Sequence, residues 1–261
     1  MKTLSRIFNK RCADEFGATG FLKVKGSFVR LSNDVLHVFL LKHFRNVPSC
    51  TVEFSIIPLC GGVPIFLEAG KYILSDFYPE RLHDWRYDPN SNESIELCVE
   101  SLVHAINEKL IPQFTNCADS ASALLSLIKL DELFDNNRKK SLELMGSIDR
   151  ASPWQERSMF DSRKFYLALK SCNYVYAELY LRFHVSYHQF ELERMEKPES
   201  TKQPESVIRE IKEDLDLCLE LLKRLTSGDY VFFDNLLLQN EAQAKLWLFD
   251  RYPAITKLFK S

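Results

Sequence analysis

Two histidines and a glutamate have the spacing of a metal site on one face of a helix. His184 and His188 are four residues apart, and Glu191 follows three residues later. Residues three and four apart share one side of a helix, so two imidazoles and a carboxylate would point the same way. The intervening sequence HVSYH lacks the glutamate of a zinc-peptidase motif. Chance placement on a helix flank is the favoured interpretation, and the sequence predicts no metal and no cofactor.

A segment that mixes aromatic residues with arginine is the candidate binding site. It runs from residue 77 to 87 (FYPERLHDWRY), and its candidate contact residues are Tyr78, Arg81, Trp85, Arg86 and Tyr87. Flat rings and guanidinium groups are common at interface hot spots, because they bury a large area at little entropic cost. In the alternative interpretation the segment is a loop that caps the sheet, with Trp85 in the core. Both interpretations stay open at this point.

Two further patterns have simpler structural interpretations. A group of basic residues near phenylalanines could form a nucleic-acid platform, but no RNP-like motif accompanies it, and a solvated sheet face is favoured. These basic residues are Lys23, Lys25, Arg30, Lys42 and Arg45. An aromatic stripe with helical spacing predicts a helix–helix core in preference to a ligand cleft. The stripe consists of Tyr176, Tyr180, Phe183, Tyr187 and Phe190.

Catalytic motifs are missing from the sequence. It contains no GxSxG, no phosphate-binding glycine loop and no GxGxxG. Cys60 stands beside Gly61 and Gly62, but no histidine can be placed near it. Asp76, Glu80 and Asp84 are spaced by four, which solvent exposure explains. The pattern therefore favours a protein that is not an enzyme.

Composition and cysteine usage indicate the compartment. Seven cysteines form no CxxC pair, which is typical of reduced thiols in a cytoplasmic protein. The first residues, MKTLSRIFNKR, lack the apolar core of a signal peptide, and no run is long enough to cross a membrane. The net charge of −2 is not typical of a protein that binds polyanions. Neither a membrane nor a nucleic acid is therefore the expected partner.

A change of residue periodicity predicts an α+β fold. From Gly20 to Leu59 the chain has three or four antiparallel strands, and from about Ser94 its apolar residues follow a helical period. The clearest strand alternates Val52, Phe54 and Ile56 with polar residues. Residues 64–67 could add a short strand, and residues 71–92 are mostly loop that could include a short helix or strand.

Turn and capping residues predict the helix limits. An amphipathic helix covers residues 3–16, and a second helix begins at about residue 94 and ends near Pro112. Asp119 caps a third helix, and a separate helix lies around residues 138–145. A boundary at 146–153 divides the chain into an α+β domain, 1–146, and a helical region, 153–261. That region contains a helix that begins at residue 153 or 161, ends at 196 and is broken once. A second helix covers about residues 208–225 and is closed by Gly228. The two helices together form a hairpin. Residues 232–249 form one more helix and 254–259 a frayed tail.

Several segments resemble a bacterial family, domain of unknown function 4304. They are GFLKVKGSFVRLSNDVLHVFLLKH, VEFSIIPL, ERLHDWRYD and KLIPQFTNCADSASALLSL, and the resemblance covers about residues 4–130. It implies an α+β domain followed by helices, and it implies no activity.

Two functional hypotheses follow. The first is a non-enzymatic cytosolic accessory factor, of the immunity type, that recognises another protein. The second is a small-molecule-binding protein or hydrolase, with its site between the sheet and the helical half. The sequence leaves the oligomeric state open.

Overall fold

An antiparallel sheet lies near the start of the chain and helices follow it, so the predicted α+β fold is confirmed. The computed structural model describes residues 2–44, 47–62, 72–78, 85–144, 161–196 and 204–260. The predicted strand at 64–67 and the predicted boundary at 146–153 lie outside these residues. Beyond residue 86 the described part of the chain contains no strand.

Six strands form one sheet in the order β1-β2-β3-β4-β5, and β6 also pairs with β4. Their bounds are β1 Leu22–Val24, β2 Ser27–Ser32, β3 Val35–His43, β4 Ser49–Pro58, β5 Tyr72–Ile73 and β6 Trp85–Arg86. All pairs are antiparallel, and in the central pair Phe39 lies opposite Phe54. The tight turn between β2 and β3 requires a left-handed residue, which Asn33 supplies with φ +50°.

Eight α-helices are described. They are α1 Lys2–Phe16, α2 Asn92–Ala105, α3 Ile111–Thr115, α4 Ser120–Leu144, α5 Ser162–Lys170, α6 Tyr174–Glu196, α7 Glu205–Thr226 and α8 Tyr230–Arg251. A π-helical turn, Ile106–Leu110, joins α2 to α3, and a 3-10 helix, Pro253–Phe259, follows α8. None of the described helices combines the length and apolarity that a bilayer-spanning segment needs.

One face of the sheet packs against α1 to α4 through a cluster of phenylalanines. Phe28 and Phe39 stack with ring centroids 5.0 Å apart, and Phe16 meets Phe39 edge to face at 5.6 Å. Phe54 contacts Phe114 of α3 in the same manner at 6.2 Å. The high phenylalanine content of the chain therefore fills this core.

The second face of the sheet is also covered over much of its area, although Lys23, Lys25 and Lys42, for which a solvated sheet face was predicted, are exposed. Val29, Leu36 and Val38 pack against Leu248 of α8 and Ile255 of the final 3-10 helix. The polar residues of β4 on this face, Thr51, Glu53 and Ser55, are all buried. A period-two pattern reports only that the two faces differ, and polar side chains can be covered when partners satisfy them.

Helix α5 joins the helical half to the sheet through a buried charged network. The guanidinium of Arg163 donates to Ser55 Oγ at 3.0 Å and to the Ile56 carbonyl at 2.7 Å. It also forms two 2.8 Å bonds with Asp161, the residue that caps α5. Lys164 forms an ion pair with Asp131 of α4. These paired groups tie α5 to β4 and α4.

Two of the predicted helix limits are wrong. The helix around 138–145 is not separate as predicted, because α4 continues without a break from Ser120 to Leu144. Asn137 donates its side chain to the Asp76 carbonyl at 2.9 Å instead of competing with its own backbone. Helical structure also continues past Pro112, which lies in the first turn of α3, where a proline does no harm.

The end of the chain is packed, and the predicted frayed tail is also wrong. Tyr252 and Ile255 are buried, because the 3-10 helix lies against the second sheet face. One cluster of buried side chains runs from Leu4 of α1 through the sheet to Phe165 of α5 and Phe233 of α8. The division into two domains stays a prediction, and residues from both sides of it share this core.

Candidate metal centre

Two histidines of α6 and one cysteine of α7 converge on a single point. One ligand atom from each of His184, His188 and Cys218 lies within 4.8 Å of the other two. Tetrahedral zinc, with metal–ligand distances of about 2.0–2.3 Å, separates its ligand atoms by roughly 3.4–3.8 Å. Small side-chain rotations would therefore bring all three atoms into bonding range.

The helical hairpin creates this convergence. Helices α6 and α7 are antiparallel neighbours in extensive contact. His184 and His188 lie one turn apart on α6, with ring centroids 5.9 Å from each other. Cys218 belongs to the half-buried stripe by which α7 contacts the core. Periodicity alone places each side chain on an inner face, and helix pairing brings the two faces together.

Aromatic neighbours hold the inner end of the site. The ring of His184 is buried and stacks on Tyr180 with centroids 4.2 Å apart. Phe183 meets the same ring edge to face at 5.9 Å. His188 and Cys218 are half-buried and lie nearer the surface. A ligand would reach the site from the side of His188.

One ring nitrogen of His188 has no hydrogen-bond partner. His188 Nδ1 is buried and finds no donor or acceptor among the described residues. A buried polar atom without a partner costs free energy, so such atoms are uncommon unless something satisfies them. Burial and then the charge of Asp214 raise the pKa of the Cys218 thiol, so a bound metal would have to displace its proton.

Glu191, the carboxylate predicted with the two histidines, does not belong to the cluster. Its carboxylate accepts a hydrogen bond from Arg194 at 2.6 Å, in an ion pair one turn along α6. Cys218 was not predicted as a ligand, because it lies thirty residues beyond His188 on another helix. The sequence did give one signal for Cys218, which is its position on the apolar stripe of a helix predicted to pair with the helix of the two histidines.

Two of the four described candidate residues of the predicted binding segment are buried inside the fold. Trp85 and Tyr87 are buried, and Trp85 Nε1 donates to Ser101 Oγ of α2 at 2.9 Å. The Tyr78 hydroxyl contacts Glu108 at 3.5 Å and its ring meets Trp85 edge to face. Arg86 is exposed on β6, and Arg81 lies outside the described residues. A binding role for these five residues stays a prediction.

The junction between sheet and helical half contains convergent polar groups that are already paired. Burial raises the pKa of Tyr72 well above its ordinary value, and its hydroxyl donates to Asp131 at 3.0 Å. Burial works to lower the pKa of Arg163, but the Asp161 charge outweighs it and the net shift is upward. These groups bond to one another, so the junction resembles a structural joint more than a ligand site.

The aromatic stripe of α6 is only partly core. Tyr180 is buried, whereas Phe190 at the far end is 58 % exposed. Four other apolar residues of the hairpin are also exposed, Val175 and Leu179 on α6 and Leu217 and Leu219 on α7. The hairpin thus carries apolar side chains on its outer surface as well as a ligand cluster inside.

Comparisons with known proteins identify no relative of this chain. No protein-family model matches the sequence, and neither a curated protein nor a solved structure matches it significantly. The resemblance to domain of unknown function 4304 therefore stays a prediction, and any function must be argued from the chain itself.

Proposed function

We propose that this protein is a zinc-binding, non-enzymatic accessory protein whose metal ion joins helices α6 and α7. The single observation that carries the proposal is the convergence of His184, His188 and Cys218, whose ligand atoms lie within 4.8 Å of one another. The unpartnered Nδ1 of His188 supports it, because a metal ion or a proton-bearing ligand would compensate its burial.

The ligand chemistry favours zinc over the harder cations. Imidazole nitrogen and thiolate sulfur suit Zn²⁺, whereas Mg²⁺ and Ca²⁺ require oxygen ligands. A thiolate ligand also needs a reducing compartment, which agrees with the expected cytoplasmic location. All seven cysteines are free thiols in the structure.

The role proposed for the ion is to fix the hairpin for recognition of another protein. A metal bound by both helices adds a cross-link between two segments that pack side by side. The exposed Leu179, Phe190 and Leu217 would then be held in one arrangement, as an apolar surface for a partner. This retains the hypothesis of an accessory, immunity-type factor.

Cobalt and zinc titrations of the purified full chain test the site. We expect one equivalent of Co²⁺ to give the absorption of a tetrahedral ion with a thiolate charge-transfer band, and Zn²⁺ to displace it. Cys218→Ser should remove the charge-transfer band and weaken zinc binding by at least about 100-fold, since loss of second-shell partners alone costs 10–100-fold.

Matched controls separate this site from adventitious binding. Cys172 is an exposed thiol outside the cluster and His104 an exposed imidazole on α2. Cys172→Ser and His104→Ala should leave both the stoichiometry and the cobalt spectrum unchanged. Binding that survives Cys218→Ser and His188→Ala together would end the proposal.

A zinc hydrolase is the second candidate, and one observation favours it. The cluster offers three ligands among the described residues, and catalytic zinc sites commonly use three protein ligands and a water molecule. Zinc-dependent turnover of an activated ester, lost in Cys218→Ser and retained in Cys172→Ser, would favour the hydrolase. A fully zinc-loaded protein without turnover would favour the accessory role.

A further inference from the structure

A cleft between α1 and the edge of the sheet is lined only by positive or neutral polar groups and one alanine. It has a volume of about 700 Å³, and its polar lining consists of Ser5, Arg6, Asn9, Lys10, Lys23 and His43. No carboxylate among the described residues lines it. The neighbouring cleft between α1 and α2, of about 650 Å³, shares Arg6 and Lys10 with the first one but also contains Asp14, Glu96 and Glu100. The acid-free lining therefore distinguishes the first cleft.

Among the described residues, the three cations of this cleft have no acidic partner in an ion pair. Arg6, Lys10 and Lys23 form no ion pair with the described residues, whereas Arg11, on the same helix, pairs with Glu100 at 3.7 Å. Many other cations of this chain are neutralised in the same manner, including Arg163, Lys164 and Lys42. Three like charges that face one cleft repel one another unless an anion neutralises them.

Neutral donors complete the lining. Ser5 Oγ and His43 Nε2 are hydrogen-bonded at 2.7 Å, and His43 Nδ1 is buried without a partner. Burial lowers the pKa of His43, so the ring is neutral at pH 7. If Nε2 carries the ring hydrogen, it donates to Ser5 Oγ and leaves the serine hydroxyl hydrogen unengaged. If Nδ1 carries it, the serine hydroxyl donates to Nε2 and the Nδ1 hydrogen is unengaged. The cleft thus offers hydrogen-bond donors in addition to charge.

We infer that this cleft binds the phosphate groups of a phosphorylated small molecule. Phosphate has several acceptor oxygens and a charge of about −2 near neutral pH, which matches a fork-shaped guanidinium, two ammonium groups and hydroxyl or amide donors. The volume is within the range of small-molecule sites, which is about 300–1,000 Å³. This site is separate from the proposed metal centre, which lies on α6 and α7.

A nucleic-acid strand fits the surroundings less well. Such a strand needs a continuous basic track, but three other basic residues of this part of the sheet, Arg30, Lys25 and Lys42, are engaged elsewhere. Arg30 lies over the Phe21 ring and donates to His37, and Lys25 lies over the Tyr252 ring. Lys42 forms an ion pair with Glu53. Arg30, Lys25 and Lys42 therefore do not extend the basic lining of the cleft.

Calorimetric titration of the full chain with inorganic pyrophosphate tests the inference. We expect saturable binding of one equivalent at physiological salt. Lys10→Gln and Lys23→Gln should each weaken the affinity by about tenfold, because each removes a charge-assisted hydrogen bond. Both side chains are exposed or half-exposed, so the variants should fold, and their thermal unfolding should match the parent protein.

Lys212→Gln is the matched control, since Lys212 is an exposed lysine on α7 without a described partner. Equal loss of affinity in this variant would show general charge screening and would overturn the inference. Saturable binding of a single-stranded oligonucleotide, without any binding of pyrophosphate at millimolar concentration, would also overturn it. Zinc loading should leave the pyrophosphate affinity unchanged, so this result is independent of the metal centre.

Discussion

At the scale of single residues, partners decide the charge of a buried group more than its type does. His37 lies on β3, beneath α3, with its ring stacked on Phe114 at 4.8 Å. Arg30 donates to Nδ1 through Nε at 3.3 Å and through Nη2 at 3.2 Å, and Nε2 donates to the Cys117 carbonyl at 3.1 Å. Nδ1 is therefore an acceptor and the imidazole is neutral.

This arrangement predicts a loss of stability in mild acid. Burial and then the charge of Arg30 lower the pKa of His37 to about 3, against the upward effect of its bond to Cys117. Because the unfolded histidine binds a proton near pH 6.5 and the folded one does not, stability is lost as the pH falls from about 6.5 towards 3. The expected contribution is about 2 kcal/mol at pH 5.

Urea unfolding at pH 7 and pH 5 measures this contribution. His37→Gln cannot take up the proton, so its stability should depend less on pH than that of the parent protein, even if the variant is less stable at both values. Equal pH dependence in the two proteins would show that His37 does not control it.

At the scale of secondary-structure elements, packing decides whether an aromatic residue binds a partner or closes the core. The short strand β6 pairs with the start of β4, where Trp85 lies opposite Cys50. Its ring lies between β4 and α2, only 4 % exposed, with its nitrogen bonded to Ser101. The two interpretations of this segment differ in what the loss of the ring would do.

Trp85→Ala should cost about 3–5 kcal/mol of folding free energy, as truncation of a buried aromatic usually does. Arg86→Ala, at the exposed neighbouring position, should change stability by less than about 0.5 kcal/mol. Chemical denaturation measures both. Wild-type stability of Trp85→Ala would contradict the capping role and return this segment to the candidate interfaces.

At the scale of the whole molecule, the last elements of the chain complete the core begun by the first. Helix α8 and the 3-10 helix after it cover the second face of the sheet, where Leu248 and Ile255 have no exposed surface. In the sequence, the predicted hairpin of α6 and α7 lies between the strands of the sheet and these last elements. Stability of the N-terminal sheet should therefore depend on the C-terminal helices.

Leu248→Ala should cost about 3–5 kcal/mol, since it leaves a cavity against the sheet. Leu246 lies two residues away on the same helix and is 69 % exposed, so Leu246→Ala should have little effect. Probes placed in both halves should report one unfolding transition, and of the two variants only Leu248→Ala should shift it. That result would agree with a shared core. Two separable transitions would instead favour two independent domains.

The sequence by itself determined the local structure of this protein. Strands β1 to β4, the antiparallel hairpin and the change from sheet to helix all follow from residue periodicity and turn residues, which depend only on near neighbours. Gly228, for example, was predicted to end α7 and has φ +77° there. The pair His184 and His188 was visible for the same reason.

Only the tertiary structure decided what covers each surface. Cys218 joins the two histidines, Lys23 lines one cleft with Arg6 and Lys10, and α8 packs on the second sheet face because segments distant in sequence pack together. A pattern within one element shows which face is inward but carries no information about the neighbour it will contact. The candidate sites arise at those contacts, so the sequence could indicate their parts but not their assembly.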